Sequence, residues 1–549
     1  MKKVIKKSEI ITQVMDHHGL VAGACLDLKI AEKINAKIAS KDPRRVVQPG
    51  EAVVAMIING LGFTNRRLYL TPQFFKSKAI ESFFENKITA DDLDDHALGK
   101  ALDEISQYGS SKMFGEIAFE IAMEQNLLGD KAHLDSTSFV LQGQYEGSLE
   151  NENIVEVKHG FSKDHRPDLK QILLSMVVTS SANIPVWMEP LSGNKSDKTS
   201  FHETIKNVRE FQRQLKINHD FTWIADSALY TPEKLLAHDN FSWISRVPET
   251  IKECQKFIEK PDEDFDWQTG DDGYRYSESI SNYGNIRQRW ILISSEQAYR
   301  REEKTFEKKI KNSQESLEKE CWHLGNQLFS CETDAKKETA KLQKKYPFFI
   351  IKTQIINIEK HVKKGRPVDS AIKQTLGVKV VYSISKQDSV IKIALRKKGR
   401  FVLATNILDP IKMPMAKILQ QYKEQQGVEC GFRFLKDPWF MIDSFYLKKC
   451  SRIEALMMVM TLCLLVYNFL QHRIRSALKR TNDTLPNQLN KQVQNPTTRW
   501  IFQIMEGIAV IKICNKKDGF RDIMITNLDS LRSKIIKLLG PVTCEIYGI

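Results

Sequence analysis

The sequence predicts a mixed α/β protein with a helical N-terminal region, a strand-bearing core and a large mixed insertion within that core. Three observations carry this. Before about residue 128, apolar residues recur at helical spacing, as in Ala97, Leu98, Ala101, Leu102 and Ile105. Two short runs, His133 to Leu141 and Phe221 to Ala228, read as buried strands, rich in β-branched and aromatic residues with one acid inside each. Between Asp226 and the next chemically marked segment, at Glu429, lie about 200 residues, too many for a connection, so a domain is inserted there.

Residues 1–128 form the helical domain, with Arg66 and Arg67 among its basic residues. Its acidic cluster, Asp91, Asp92, Asp94 and Asp95, is expected to open a helix after Thr89, where carboxylates favour the positive end of the dipole. Residues 129–248 alternate: the Asp135 strand, strands at Gln171–Val178 and Ile184–Trp187, a helix over 199–216, the Asp226 strand, a short helix, and Phe241–Ile244. Periodicity alone supports a mixed sheet and no finer fold.

The insertion, 249–410, holds strand-like pieces at 289–294 and 378–403. In its charged stretch, Glu302 to Lys345, the residues Phe306, Ile310, Leu317, Cys321, Leu324 and Leu328 recur every three, four or seven positions, as in a helical hairpin with a solvated outer face. Lys363-Lys-Gly-Arg-Pro367 has the composition of a minor-groove arm, with Arg366 between Gly and Pro; a basic loop accounts for it equally. Residues 411–476 return to the core. The apolar run Ile453 to Leu470 is near the lower length of a membrane span, about 17–25 residues, but Glu454 and Asn468 interrupt it, so a helix buried on all sides fits better. Residues 477–549 are a polar linker and a small C-terminal segment whose apolar content lies at Trp500–Met505 and Ile535–Leu539.

At 549 residues, 42% hydrophobic and 27% charged, the chain has an ordinary globular composition and not that of a disordered one. A net charge of +14 points to a polyanionic partner, nucleic acid being the commonest. Nine scattered cysteines without a CxxC pair argue against a disulfide framework and a structural zinc site, and suit a reducing cytoplasm. The basic N-terminus lacks the apolar stretch of a signal peptide.

The segment Tyr422 to Lys436 marks the chemistry. Tyr422, Glu429 and Lys436 are seven residues apart, so on one helix they would share a face, with Gln425 and Arg433 close to it. A carboxylate among cations stays ionised, which makes it a poor general base and a good metal ligand. Asp135 and Asp226, alone in apolar strands, are costly unless paired or bound to a cation. A three-acid oxygen set favours magnesium or manganese over zinc, and two such ions suit phosphoryl transfer. Taken singly, Asp135 is a strand-end residue bonded to a turn and Asp226 a helix N-cap.

The three acids, with the spacing Tyr422, Gln425, Glu429, Lys436, resemble the DDE transposases of bacterial insertion sequences, in the branch with the Tyr-Arg-Glu-Lys signature. The signature's Arg is here Gln425, with Arg433 one turn further on. Phe161 to Gln171, Ile244 to Pro248, Arg400 to Asn406 and the ending Leu538-Leu539-Gly540 resemble the same family, so the likeness spans nearly the whole chain. It implies a ribonuclease-H-like core, catalysis and binding of two Mg2+ or Mn2+ ions by Asp135, Asp226 and Glu429, and DNA contacts from Lys436, Tyr422, Arg433, Arg166 and Arg366. It further implies end-binding by the N-terminal domain, terminal inverted repeats and target DNA as partners, a homodimer pairing two ends, no membrane, and a cytoplasmic, nucleoid-associated location. His165 and Arg166 precede Pro167, so a simple turn competes with a DNA contact there. Trp243, Trp267 and Trp290 are candidates to stack a flipped base, against core packing. The rival readings are a silent DNA-binding relative and a nuclease without strand transfer.

Overall fold

The computed structural model describes residues 10–40, 42, 44–63, 68–141, 145, 155–161, 166–231, 241–270, 273–361, 373–437, 447, 449–515 and 519–549. The chain divides into two compact units, Met1–Ile244 with Gln420–Ile549, and Ser245–Leu419.

In the first unit, β1 (Ile10–Val14) leads into helices α1 (His18–Asp27), α2 (Ile30–Ile38), α3 (Pro49–Gly60), α4 (Thr71–Phe75), α5 (Asp95–Tyr108) and α6 (Ser110–Glu124). The acidic cluster does two local jobs. Thr89 and Asp92 cap each other around a 3-10 turn, and the Asp94 carboxylate accepts the Ala97 N–H at 2.7 Å to start α5. The helix after Thr89 thus begins at Asp95, with Asp94 and not Thr89 as its cap, and its buried face is Leu98, Ala101, Leu102 and Ile105.

The central strands of this unit are β2 (Lys131–Leu141), β3 (Lys170–Thr179), β4 (Pro185–Ser192) and β5 (Thr222–Ala225), with β6 (Trp243–Arg246) at its chain boundary, in the order β4-β3-β2-β5-β6. β2, β3 and β4 pair antiparallel, while β5 lies parallel to β2. Between β4 and β5, α7 (Asp197–Gln214) crosses and packs on β2 and β3.

The second unit has β7 (Gln268–Thr269), β8 (Tyr274–Ser281) and β9 (Gln288–Ser295), the long ribbon β10 (Phe349–His361) with β11 (Lys373–Lys386), and β12 (Arg400–Thr405), with α8 (Lys252–Glu259) before them. The helical hairpin is α9 (Glu296–Asn326) and α10 (Glu332–Lys345); Phe306, Ile310, Leu317 and Cys321 are buried, whereas Leu328 is exposed. The strand-like piece 378–403 is broken by α11 (Asp388–Arg396), whose Ile391, Ala394 and Leu395 reach the hairpin's core at helical spacing.

The chain re-enters the first unit within α12 (Met415–Lys423), and α13 (Gln426–Leu435) is followed by α14 (Cys450–Arg480). The most apolar window of α14 is 83% buried inside the protein, so it is a core helix, packed on α1, α3, α5, α6 and β4. Its polar residues are spent on partners: Arg452 forks onto Asp103 at 2.7 and 2.6 Å, Glu454 accepts the Val155 N–H, and Asn468 donates to the Asn183 carbonyl. After a short pairing of β13 (Leu485–Pro486) with β14 (Gln492–Val493) come α15 (Thr498–Ile504), β15 (Ala509–Asn515), β16 (Gly519–Thr526), α16 (Ser530–Leu539) and α17 (Pro541–Ile546). β1 pairs with β15, and the buried Tyr547 hydroxyl donates to the Asp16 carbonyl, so the two ends of the chain form one layer.

Candidate active site

Two carboxylates meet because two parallel strands pair in a fixed register. Leu134 stands opposite Ala225, and one further step sets Asp135 beside Asp226 at the C-terminal end of β5. Neighbouring strands lie about 4.8 Å apart, so the two acids repel unless a cation lies between them. Asp226 also caps the turn Ser227–Leu229, its oxygen accepting the Ala228 N–H at 2.9 Å, so the capping and site readings hold together. Asp135 accepts the Ser136 N–H at 2.7 Å. Alternation along β2 puts His133, Asp135, Thr137, Phe139 and Leu141 on one face, and Phe139 and Leu141 share a core with Val428, Phe432 and Leu435 of α13.

The signature segment is not the single helix that its seven-residue spacing suggests. Between α12 and α13 the ladder tightens to i→i+3 bonds: Gln425 N–H to the Tyr422 carbonyl, Gly427 to Glu424, Val428 to Gln425. Tyr422 therefore belongs to α12, while Glu429 and Lys436 keep their spacing on α13 and its C-cap. Close backbone approach sets α13 in place. A Cβ on Gly427 would lie 2.2 Å from Asn183 Oδ1, and one on Gly431 would lie 3.3 Å from Met176 Cε, the residue that pairs with Asp135 across β3. Lys436 Nζ stands 5.8 Å from the Phe139 ring, on the Asp135 face of β2. The flank of α13 shared by Glu429 and Lys436 is thereby turned toward β2.

Glu429 itself is exposed, and among the described residues no three His, Cys, Asp or Glu side chains are gathered as a ready metal cage. The donor set nevertheless fits a hard divalent cation: two adjacent, part-buried carboxylates, with a third on the helix packed over their sheet.

The other sequence candidates separate. Arg433 is exposed on α13, 3.6 Å from Cys430 Sγ. Arg166 is exposed and forks onto Asp168 at 2.9 and 2.8 Å, which ties it locally. Arg366 with its Lys363–Pro367 motif, His165, Arg66 and Arg67 lie outside the described residues. Trp243 and Trp290 are core residues, so neither is placed to stack a base; Trp267 is part-buried with the Arg275 guanidinium 4.6 Å from its ring. Gln425, at the signature's Arg position, is buried.

His133 was not singled out in the sequence. It is 1% exposed and, among the described residues, neither ring nitrogen has a hydrogen-bond partner. Burial holds its pKa down at about 4. An unsatisfied buried polar group costs on the order of 1–3 kcal/mol, so the position invites a reason. Its signal in the sequence was there: two residues before an acid on a strand means the same face.

All of these groups except the N-terminal helices lie within residues 132–467, which match the family described as Transposase DDE domain. The chain belongs to that family. Residues 10–119 match a domain of unknown function, DUF4277. No curated protein matches this chain. Among solved structures it is similar to the piggyBac transposase in its synaptic complex with hairpin DNA, at 11% identity over 89% of this chain and 80% of that one, with a TM-score of 0.34. It is also similar to the Mos1 transposase in a paired-end complex with the left transposon end, at 11% identity over 37% of this chain and 59% of that one, with a TM-score of 0.14.

Proposed function

We propose that this transposase cuts DNA at the ends of a mobile element and joins the freed 3′ hydroxyl to target DNA, with Asp135, Asp226 and Glu429 as its catalytic residues. The observation that carries the reading is the parallel register that brings Asp135 beside Asp226, beneath the helix bearing Glu429. The strand order β4-β3-β2-β5-β6 supports a ribonuclease-H-like core, with Ser245–Leu419 as its insertion. Tyr422, Glu429 and Lys436 support the Tyr-Arg-Glu-Lys branch of insertion-sequence transposases, with Gln425 as the departure.

The three carboxylates would hold two magnesium or manganese ions, which when bound acidify water and offset charge on the phosphoryl oxygens. The chain's own groups do the orienting. The Ser136 and Ala228 N–H groups aim the two strand carboxylates. Lys436 pairs with a phosphate of the transposon end as a point charge, and Tyr422 gives its hydroxyl to another. Arg433, Arg166 and Arg366 add cations along the DNA, in keeping with the net charge of +14. In the first reaction a water oxygen bonds to phosphorus and the P–O3′ bond breaks, leaving a 3′ hydroxyl and a 5′ phosphate. That hydroxyl then attacks the opposite strand, closing a hairpin, and after reopening attacks a target phosphorus. The partners are terminal inverted repeats and target DNA, bound by a homodimer in the cytoplasm at the nucleoid.

The test is cleavage of a labelled terminal-repeat duplex with magnesium. Wild type should nick at the repeat boundary; Asp135→Ala and Glu429→Ala should bind the end and leave it intact. Nicking retained by Asp135→Ala refutes the assignment. The exposure of Glu429 and the Gln425 departure favour a second reading, a silent DNA-binding relative; tight end binding without cleavage by wild type would select it. Cleavage without joining of a pre-nicked end to a plasmid would indicate a nuclease.

A further inference from the structure

We propose that His133 is a positioning residue of this site, holding Glu429 over the Asp135–Asp226 pair through an imidazole N–H. The proposal rests on the transposase reading above. It joins two facts that otherwise stand unexplained: a buried imidazole with neither nitrogen bonded among the described residues, and a third acid that is not gathered with the other two.

The register partners of His133 cannot satisfy it. Its register partners are Val178 on β3 and Ile224 on β5, both apolar. The layer packed over this face of β2 is α13. The helix is anchored at Gly427 against Asn183, just beyond the Thr179 that pairs with Ala132, and at Gly431 against Met176, which pairs with Asp135. Glu429 lies midway between these anchors, and His133 lies between Ala132 and Asp135 on the face below. A turn of the Glu429 side chain from solvent toward the sheet brings its carboxylate between His133 and the acid pair. There one oxygen accepts the imidazole N–H and the other is left for a cation. Groups that orient a ligating carboxylate in this way fix its rotamer and typically carry 10–100-fold in metal affinity or activity.

The experiment uses the full chain with His133→Leu and His133→Gln, the second keeping an N–H donor, and Asp135→Ala as reference. Three quantities are read: denaturant stability without metal, Mn2+ affinity by calorimetry, and nicking of the terminal-repeat duplex. His133→Leu should be at least as stable as wild type, because it removes an unsatisfied group, yet lose about 10–100-fold in Mn2+ affinity and nicking. His133→Gln should recover part of both. Wild-type Mn2+ affinity and nicking in His133→Leu would overturn the proposal. So would equal loss of stability, affinity and nicking in both variants, which describes a packing residue. If Asp135→Ala itself nicks normally, the reading of the site fails and the role of His133 falls with it; an inactive Asp135→Ala beside a fully active His133→Leu sinks the His133 role alone.

Discussion

Gly431 sets how close the Glu429 helix lies to the sheet, and enlarging it separates the position of Glu429 from its chemistry. An added Cβ meets Leu464 Cδ2 at 3.0 Å and Met176 Cε at 3.3 Å, both ends of flexible side chains. Gly431→Ala therefore asks the neighbours to give by a few tenths of an ångström, and recovers about 0.8–1.0 kcal/mol of helix propensity. Its stability should stay within about 1 kcal/mol of wild type, and its nicking rate within a few-fold. Gly431→Leu forces three further carbons into a filled contact, an overpacking cost of about 1–3 kcal/mol only partly offset by propensity. The strain is relieved by lifting α13 from Met176, which carries Glu429 away from Asp135. A displacement of about 1 Å can cost about 10²-fold in rate. The assay pairs denaturant unfolding with single-turnover nicking of the terminal-repeat duplex. A folded Gly431→Leu that nicks at the wild-type rate would refute the claim that this close approach positions the third acid.

The buried pair His17 and His18 makes stability pH-dependent, since burial lowers His17 from 6.5 to about 4 and His18 well below its usual value. Both are neutral when folded and take up protons when unfolded, so stability is full above pH 6.5, falls as pH drops through 6.5, and for His17 levels off below about 4. That gap is about 3 kcal/mol for His17 alone; urea titrations from pH 7.5 to 4.5 should show it, and His17→Phe should flatten the slope by about one proton. Lys436→Ala should weaken end binding and lower the slope of log K against log salt by about one, read from gel shifts at several salt concentrations; an unchanged slope rules out its phosphate contact. Asp94→Ala removes the bond to the Ala97 N–H and should cost about 1 kcal/mol in denaturant unfolding, with end cleavage unchanged.

Much of the fold was legible locally. Short β-branched runs carrying one acid marked β2 and β5, the four- and seven-residue spacing from Phe306 to Cys321 marked the α9–α10 hairpin, and the polar residues inside the Ile453–Leu470 run pointed to a core helix. Each of these rests on a period of 2 or 3.6 that a single element imposes on its own residues. Where an element takes its shape from another, the pattern misled. The seven-residue spacing of Tyr422, Glu429 and Lys436 suggested one helix, but the turn at Gln425 tightens where Gly427 meets Asn183 from the β3–β4 connection. The strand-like piece 378–403 became partly helix because Ile391, Ala394 and Leu395 have a core to reach.

By itself, then, the sequence singled out the candidates for the chemistry: the three acids, the lysine that follows them, and a net positive charge suited to a polyanion. The tertiary structure alone decided which of them meet. Asp135 and Asp226 are adjacent because strands distant in sequence pair in one particular register, and a one-residue slip would turn either acid to the opposite face. The union of the chain's two ends through β1 and β15, and the stranding of His133 beneath α13, have the same origin. Register and layer packing are properties of pairs of elements, and no local period encodes them.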